Sequence, residues 1–243
     1  MKLIRAEGDV PRRVHALTTT RLGGVSAPPY QGLNLGDHVG DLDTSVAENR
    51  RKLIGALGLN TPPQWLTQVH GKNIVEARPD AIVREADGCF TATPGQACIV
   101  MTADCLPVLF ANASGTQVAV AHAGWRGLAA GVLEQTVRTF SAVEPVFAWL
   151  GPAIGPLAFE VGAEVYDAFV NEQPEAETAF KPSPTHSDRY LADIYELARL
   201  RLRSVGVTQV TGGEHCTFTE TEFFYSYRRD QHTGRMASVI WIE

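Results

Sequence analysis

This chain reads as an α/β protein built on mixed β-sheets. Three observations predict that class. Short β-branched and aromatic runs alternate with stretches of 3.6-residue periodicity along the whole chain. Several neighbouring strand-like runs are separated by only a few turn residues, which suits antiparallel hairpins better than a doubly wound parallel sheet. No internal repeat appears, and 243 residues with 44% hydrophobic content suffice for one large domain over residues 1–243 with a full core.

The elements follow in order. Residues 13–20 alternate and are rich in threonine, as a strand requires, and the paired glycines at 23 and 24 end it. Residues 26–41, SAPPYQGLNLGDHVGD, carry turn chemistry throughout, but Leu33, Leu35 and Val39 give the loop apolar anchors. A helix is predicted over 46–57, with Ser45 and Glu48 as a capping box and Gly58 as terminator. Residues 64–69 and 73–77 read as short strands around His70. Asp87 and Gly88 signal a turn before a strand at 97–102.

The chain is organised around residues 101–131, MTADCLPVLFANASGTQVAVAHAGWRGLAAG. Two apolar strands, 105–111 and 117–121, are joined by the turn-forming residues 112–115. Beyond them a helix is predicted at 128–140, a buried strand at 146–150, a rigid loop with two Gly-Pro pairs at 151–156, and a helix at 164–170. Residues 171–188, rich in Pro, Glu and Ser, read as an exposed, mobile insertion. Leu191, Ile194, Tyr195, Ala198, Leu202 and Val205 fall at helical spacing, with Gly206 closing the helix. Strands are predicted at 207–210, 223–227 and 236–242.

Composition narrows the function. A formal charge of −6 with scattered cations argues against nucleic acid or an anionic membrane surface as partner, since phosphate backbones and lipid headgroups require clustered positive charge. Four cysteines without a CxxC pair point to reduced thiols. The N-terminal MKLIRAEGDVPRR has no apolar signal core, and no apolar run reaches the roughly 18 residues of a membrane span, so a cytoplasmic protein is expected.

The central hairpin also points to chemistry. Antiparallel pairing brings Cys105, at the start of one strand, beside His122, at the end of the other. His70 in TQVHG is a third donor. A Cys-His-His set is a catalytic-zinc ligand set, because three protein ligands leave one position open. Each residue also has a plainer reading: His122 as a hydrogen-bonded core histidine and Cys105 as a small buried hydrophobe. Asp104 and Glu160 are candidate proton shuttles, and each suits a turn-forming or ion-paired carboxylate equally well. Arg126, flanked by glycines at a predicted helix start, suits an anion such as phosphate. Arg21, Arg228, Arg229 and Arg235 are weaker candidates. Asn34 suits a ribose hydroxyl or a simple Asx turn.

At TQVHG, TADCLPV, HAGWRGL and GPAIGP the sequence resembles the YfiH-like family, also called the laccase-domain or multicopper polyphenol oxidase family and, in bacteria, peptidoglycan editing factor. The likeness runs from TTTRLGGVS through LNLGDHVGD and ENRRKL to YSYRRDQHTGRMAS. It implies helices packed on the outer faces of two mixed sheets, an α/β/β/α layering similar to that of certain toxin deamidases. It also implies zinc held by His70, Cys105 and His122. The function it implies is purine nucleoside phosphorylase, acting also on methylthioadenosine, with adenosine deaminase activity and an older phenol-oxidase label.

Three alternatives stand beside that expectation. Cys105 as thiolate nucleophile with His122 as base would cleave an amide or ester, for instance in a peptidoglycan precursor. A copper oxidase would need many more ligands than seven dispersed histidines without an HxH pair supply, although Cu2+ competes well for a Cys-His-His site and Met101 could serve as an axial ligand. A non-enzymatic metabolite-binding module would bind nucleosides without turnover.

Overall fold

The computed structural model describes residues 1–8 and 10–243, and two sheets stacked face to face form its centre. The smaller is antiparallel, in the order Leu3–Arg5, Val14–Thr19, Met236–Ile242, Cys98–Thr102. The larger has six strands in the order Gln209–Gly212, Val146–Leu150, Leu106–Asn112, Val118–Ala123, Gly88–Thr91, Ile74–Glu76. Its two edge pairings are parallel and its inner ones antiparallel, so the sheet is mixed, as the hairpin spacings predict.

Side-chain alternation explains the layering. In Leu106–Asn112 every residue is buried, because both faces of this strand are covered. Leu109 and Ala111 face the other sheet and pack with Val14, Val100, Val120, Trp149 and Ile240. Val108 and Phe110 face outward onto Leu128, Leu133, Leu197 and Leu202, which belong to helical segments on that side. Beyond the smaller sheet, Leu17, Ile99 and Val239 pack with Leu53 of the helix Asp43–Leu57 and with Leu33 and Leu35 of the preceding loop. That gives helix, sheet, sheet, helix.

Several elements differ from the sequence expectation. The first helix begins at Asp43 rather than 46, without a side-chain cap: Ser45 lies inside the first turn, and Glu48 pairs with Arg51 instead of reaching back. The helix expected over 128–140 is two short pieces, Trp125–Ala129 and Val132–Val137, broken at Gly131, whose φ of 92° no α-helix accommodates. Gly88, expected in a turn with Asp87, instead opens a strand, Gly88–Thr91, inside the larger sheet. The expected insertion at 171–188 is partly packed. A 3-10 helix, Pro174–Ala179, and a strand, Phe180–Pro182, bury Ala176, Ala179 and Phe180 against the helix Ala163–Val170. Residues 223–227 form no strand. Phe224 and Tyr225 are buried in an irregular segment that leads into the short helix Tyr227–Asp230. The final strand, Met236–Ile242, falls where the sequence places it.

Candidate metal centre

The hairpin register fixes the first two donors. His122 lies opposite Pro107 and Ala123 opposite Leu106, so Cys105, one residue before Leu106, emerges at the same sheet end. His70 arrives from a different direction. The side chain of Gln68 accepts from Met101 N–H at 2.7 Å and donates to Met101 C=O at 2.8 Å, pairing the segment with the strand Cys98–Thr102 as a backbone would. His70 itself takes a left-handed backbone (φ 61°), which turns its ring toward the hairpin.

The three donor atoms lie within 4.8 Å of one another, with Cys105 Sγ and His70 Nε2 3.8 Å apart. Two bonds of about 2.3 and 2.1 Å meeting at a tetrahedral angle would separate sulfur and nitrogen by about 3.6 Å. The donor set therefore fits a single zinc-sized ion. The backbone makes room for it: a Cβ on Gly124 would lie 3.0 Å from both Cys105 Sγ and His70 Cδ2.

Asp87, which sequence reasoning reads only as part of a turn, is the residue around which the donors are arranged. Because Gly88 pairs with Ala121, Asp87 sits across from His122, whose N–H donates to the Asp87 carbonyl at 2.7 Å. The carboxylate is fully buried. Its Oδ1 lies 2.8 Å from His122 Nδ1 and accepts His70 N–H at 2.9 Å, while Oδ2 accepts Gly71 N–H at 2.6 Å and Val69 N–H at 3.3 Å. Only the pattern Asp-Gly was visible in sequence, and the pairing partner was not.

The electrostatics follow from this packing. Burial alone would push the Cys105 thiol up, but His122 and His70 beside it outweigh burial and bring it to about 6. Burial would lower His122, yet Asp87 and the Cys105 sulfur raise it to about 9. For Asp87, burial opposes ionisation, and His122 with the backbone N–H groups overcomes it, so its carboxyl lies below the usual range. All four cysteines are free thiols.

The donors lie at the wall of a cavity of about 550 Å³, a size suited to a small molecule. Asp104, Arg126 and Arg228 join Cys105, His122 and His70 in its lining, together with His38, Trp125, Phe159, Tyr227 and Arg235. Arg126 stacks over the Trp125 ring at 4.5 Å and has no hydrogen-bond partner among the described residues. Arg228 is anchored, donating to the Glu160 carbonyl at 2.9 Å. Asp104 uses both oxygens: Oδ1 accepts from Thr217 at 2.6 Å, and Oδ2 from Ser226 at 3.0 Å and Arg228 N–H at 2.7 Å.

Four expected site residues do not line this cavity, among them Arg229, which donates to the Thr217, Phe218 and Phe224 carbonyls and pairs with Asp230. Asn34 is buried in an Asx turn, accepting from Gly36 N–H and Arg235 N–H. Arg21 donates to the Thr221 carbonyl and lies over the Tyr225 ring. Glu160 turns its carboxylate to Ser183, His186 and Arg189, and hydrogen bonds from Ser183, His186 and Thr185 hold it down at about 2. His38 and Trp125, which are not among the candidates drawn from the sequence, reach the cavity beside Arg235, a weaker anion candidate there.

Residues 15–243 match the family described as multi-copper polyphenol oxidoreductase laccase. A protein of Escherichia coli (strain K12) named purine nucleoside phosphorylase YfiH is 56% identical over 243 residues, covering 99% of each chain. A purine nucleoside phosphorylase of Pseudomonas aeruginosa is 56% identical over 234 residues, covering 96% of this chain and 95% of its own. Among solved structures, protein NMB0706 of Neisseria meningitidis matches with a TM-score of 0.95 at 49% identity over all of both chains, and YlmD from Geobacillus stearothermophilus with 0.88 at 31% over the same coverage.

Proposed function

The chain belongs to the multi-copper polyphenol oxidoreductase laccase family, the YfiH-like proteins, and from that premise we propose that it is a zinc-dependent purine nucleoside phosphorylase. Its substrates are adenosine, inosine and S-methyl-5'-thioadenosine with phosphate, and adenosine deamination is a side activity. The names of the relatives support the reaction class. One observation in this chain carries the reading: a Cys-His-His donor set and Arg126, whose guanidinium has no hydrogen-bond partner among the described residues, line a single nucleoside-sized cavity.

Phosphorolysis joins a phosphate oxygen to the anomeric carbon of the ribose as the bond from that carbon to the purine breaks, leaving the bond's electron pair on the base. Arg126, whose guanidinium has no hydrogen-bond partner among the described residues, and Arg228, pre-set by the Glu160 carbonyl, hold the phosphate and offset its charge. The rings of Trp125 and Phe159 offer apolar faces for base or sugar. Asp104 keeps the segment that bears Arg228 against the hairpin. Glu160 contributes through its carbonyl. Zinc, which His70, Cys105 and His122 would hold, would supply Lewis acidity beside the phosphate and the reacting sugar, the same chemistry that adenosine deamination requires.

One observation favours a second reading. Cys105, His122 and Asp87 form a nucleophile, base and orienting carboxylate in sequence, the arrangement of a cysteine hydrolase. In that reading His70 has no part in the chemistry. A copper oxidase finds less support, since one three-ligand cluster is found among the described residues. The test is chromatography of inosine and adenosine incubated with the protein, with and without phosphate, for wild type and His70→Ala. The proposal expects hypoxanthine from inosine only when phosphate is present, and none from the variant. Equal turnover by both proteins contradicts it.

A further inference from the structure

We infer that Asp87 is the positioning residue of this centre, one carboxylate that sets the ring nitrogens of His122 and the backbone turn of His70 together, so that the affinity of the site for zinc depends on it. The inference rests on the zinc-site part of the proposed function and extends it to a residue that touches neither substrate nor metal.

The two oxygens divide the work. Oδ1 stands 2.8 Å from His122 Nδ1, so with an ionised Asp87 that nitrogen carries the proton and Nε2 is left to face Cys105 and His70. The same Oδ1, with Oδ2, collects the N–H groups of three successive residues, Val69, His70 and Gly71. Three successive N–H groups converging on an anion form a nest, and a nest requires the left-handed backbone that His70 adopts. The conformation that would otherwise cost stability at a non-glycine residue is therefore held by the same carboxylate that orients the second ligand. Strand pairing supplies the rigidity: Asp87 precedes Gly88–Thr91, and its carbonyl accepts His122 N–H.

Isosteric Asp87→Asn separates charge from shape. An amide has one acceptor oxygen and one donor group, so it cannot serve His122 Nδ1–H and three backbone N–H groups together. If its oxygen keeps the nest, its NH2 faces Nδ1 and drives the proton to Nε2, the nitrogen the metal needs. If its oxygen keeps His122, the nest loses an acceptor and the His70 turn opens.

The experiment measures zinc affinity by chelator competition in Asp87→Asn, Asp87→Glu and Leu202→Ala, a core truncation outside the cavity lining. It also measures amide hydrogen exchange at residues 69–71 in the metal-free proteins and the nitrogen-15 shifts of His122 in the zinc-loaded ones. The expected result is a loss of about 10- to 100-fold in zinc affinity for Asp87→Asn, a smaller loss for Asp87→Glu, which keeps the charge, and none for Leu202→Ala. Faster exchange at 69–71 or a changed His122 tautomer accompanies the loss in Asp87→Asn. Folded Asp87→Asn with wild-type zinc affinity, exchange and shifts overturns the inference. A wild-type protein that binds zinc but releases no base from inosine removes the phosphorylase reading and leaves this assignment standing.

Discussion

The two ends of the central hairpin are both tied together by polar side chains and do opposite things. At the turn end, Asn112 closes the loop: its Oδ1 accepts Thr116 N–H and Gln117 N–H, each at 2.9 Å, and its Nδ2 donates to Thr116 Oγ1 at 2.9 Å and Ser114 Oγ at 3.1 Å. Every partner lies within five residues. At the open end, Cys105, His70, His122 and Asp87 satisfy one another across separations of 35 and 17 residues. The local network ends a strand and begins the next. The long-range one gathers a thiol, two imidazoles and a carboxylate at a cavity, where they remain available to a ligand. The polar network that depends on the tertiary fold is the one we propose carries chemistry, in keeping with function residing in sites mounted on a scaffold.

Removing a donor tests that contrast most severely. Cys105→Ala should lose zinc and lower phosphorolysis by at least about a hundredfold, exceeding the cost of disturbing an outer partner. Metal analysis and a coupled base-release assay on the same preparation check it. A variant that keeps its zinc would move the centre elsewhere.

The same contrast explains what the sequence made legible. The hairpin, its Asn-Ala-Ser-Gly turn and the C-terminal strand Met236–Ile242 depend on alternation and turn residues, and they fall as expected. Cys105 and His122 could be brought together because an antiparallel register is implied by a short turn. Asp87 could not, because its role depends on which strand pairs beside Val118–Ala123, and Gly88–Thr91 is only four residues long and opens on an Asp-Gly turn signal. Residues 171–188 look polar enough to be solvent-exposed, yet Ala176, Ala179 and Phe180 find a helix to pack on. The break at Gly131 is a tertiary choice as well, since periodicity runs through it undisturbed.

A milder change works on space. Gly124→Ala places a methyl 3.0 Å from Cys105 Sγ and His70 Cδ2 and should weaken zinc binding by about tenfold while the fold persists. Chelator competition with circular dichroism as control separates the two effects.

At the turn end the outcome reverses. Asn112→Ala should leave base release at the wild-type rate and cost about 1–3 kcal/mol of stability, through its unpaired backbone N–H groups. Urea unfolding beside the activity assay measures both. A large loss of activity would mean that the two ends are coupled.

The smallest perturbation is a proton. Because Cys105 is lowered from 9.0 to about 6, its thiolate forms as pH rises through that value, so alkylation of the metal-free protein should climb between about pH 5 and 7. Mass spectrometry of the modified peptide gives the midpoint. A midpoint near 9 would show that the two histidines do not act on the thiol, and zinc should suppress the reaction throughout.

X-ray absorption spectroscopy of the zinc-loaded protein addresses the centre itself most directly. A site made by His70, Cys105 and His122 with one open position predicts a single sulfur at about 2.3 Å and two imidazole nitrogens plus one lighter ligand at about 2.0–2.1 Å. A shell without sulfur, or with more than one, would contradict it.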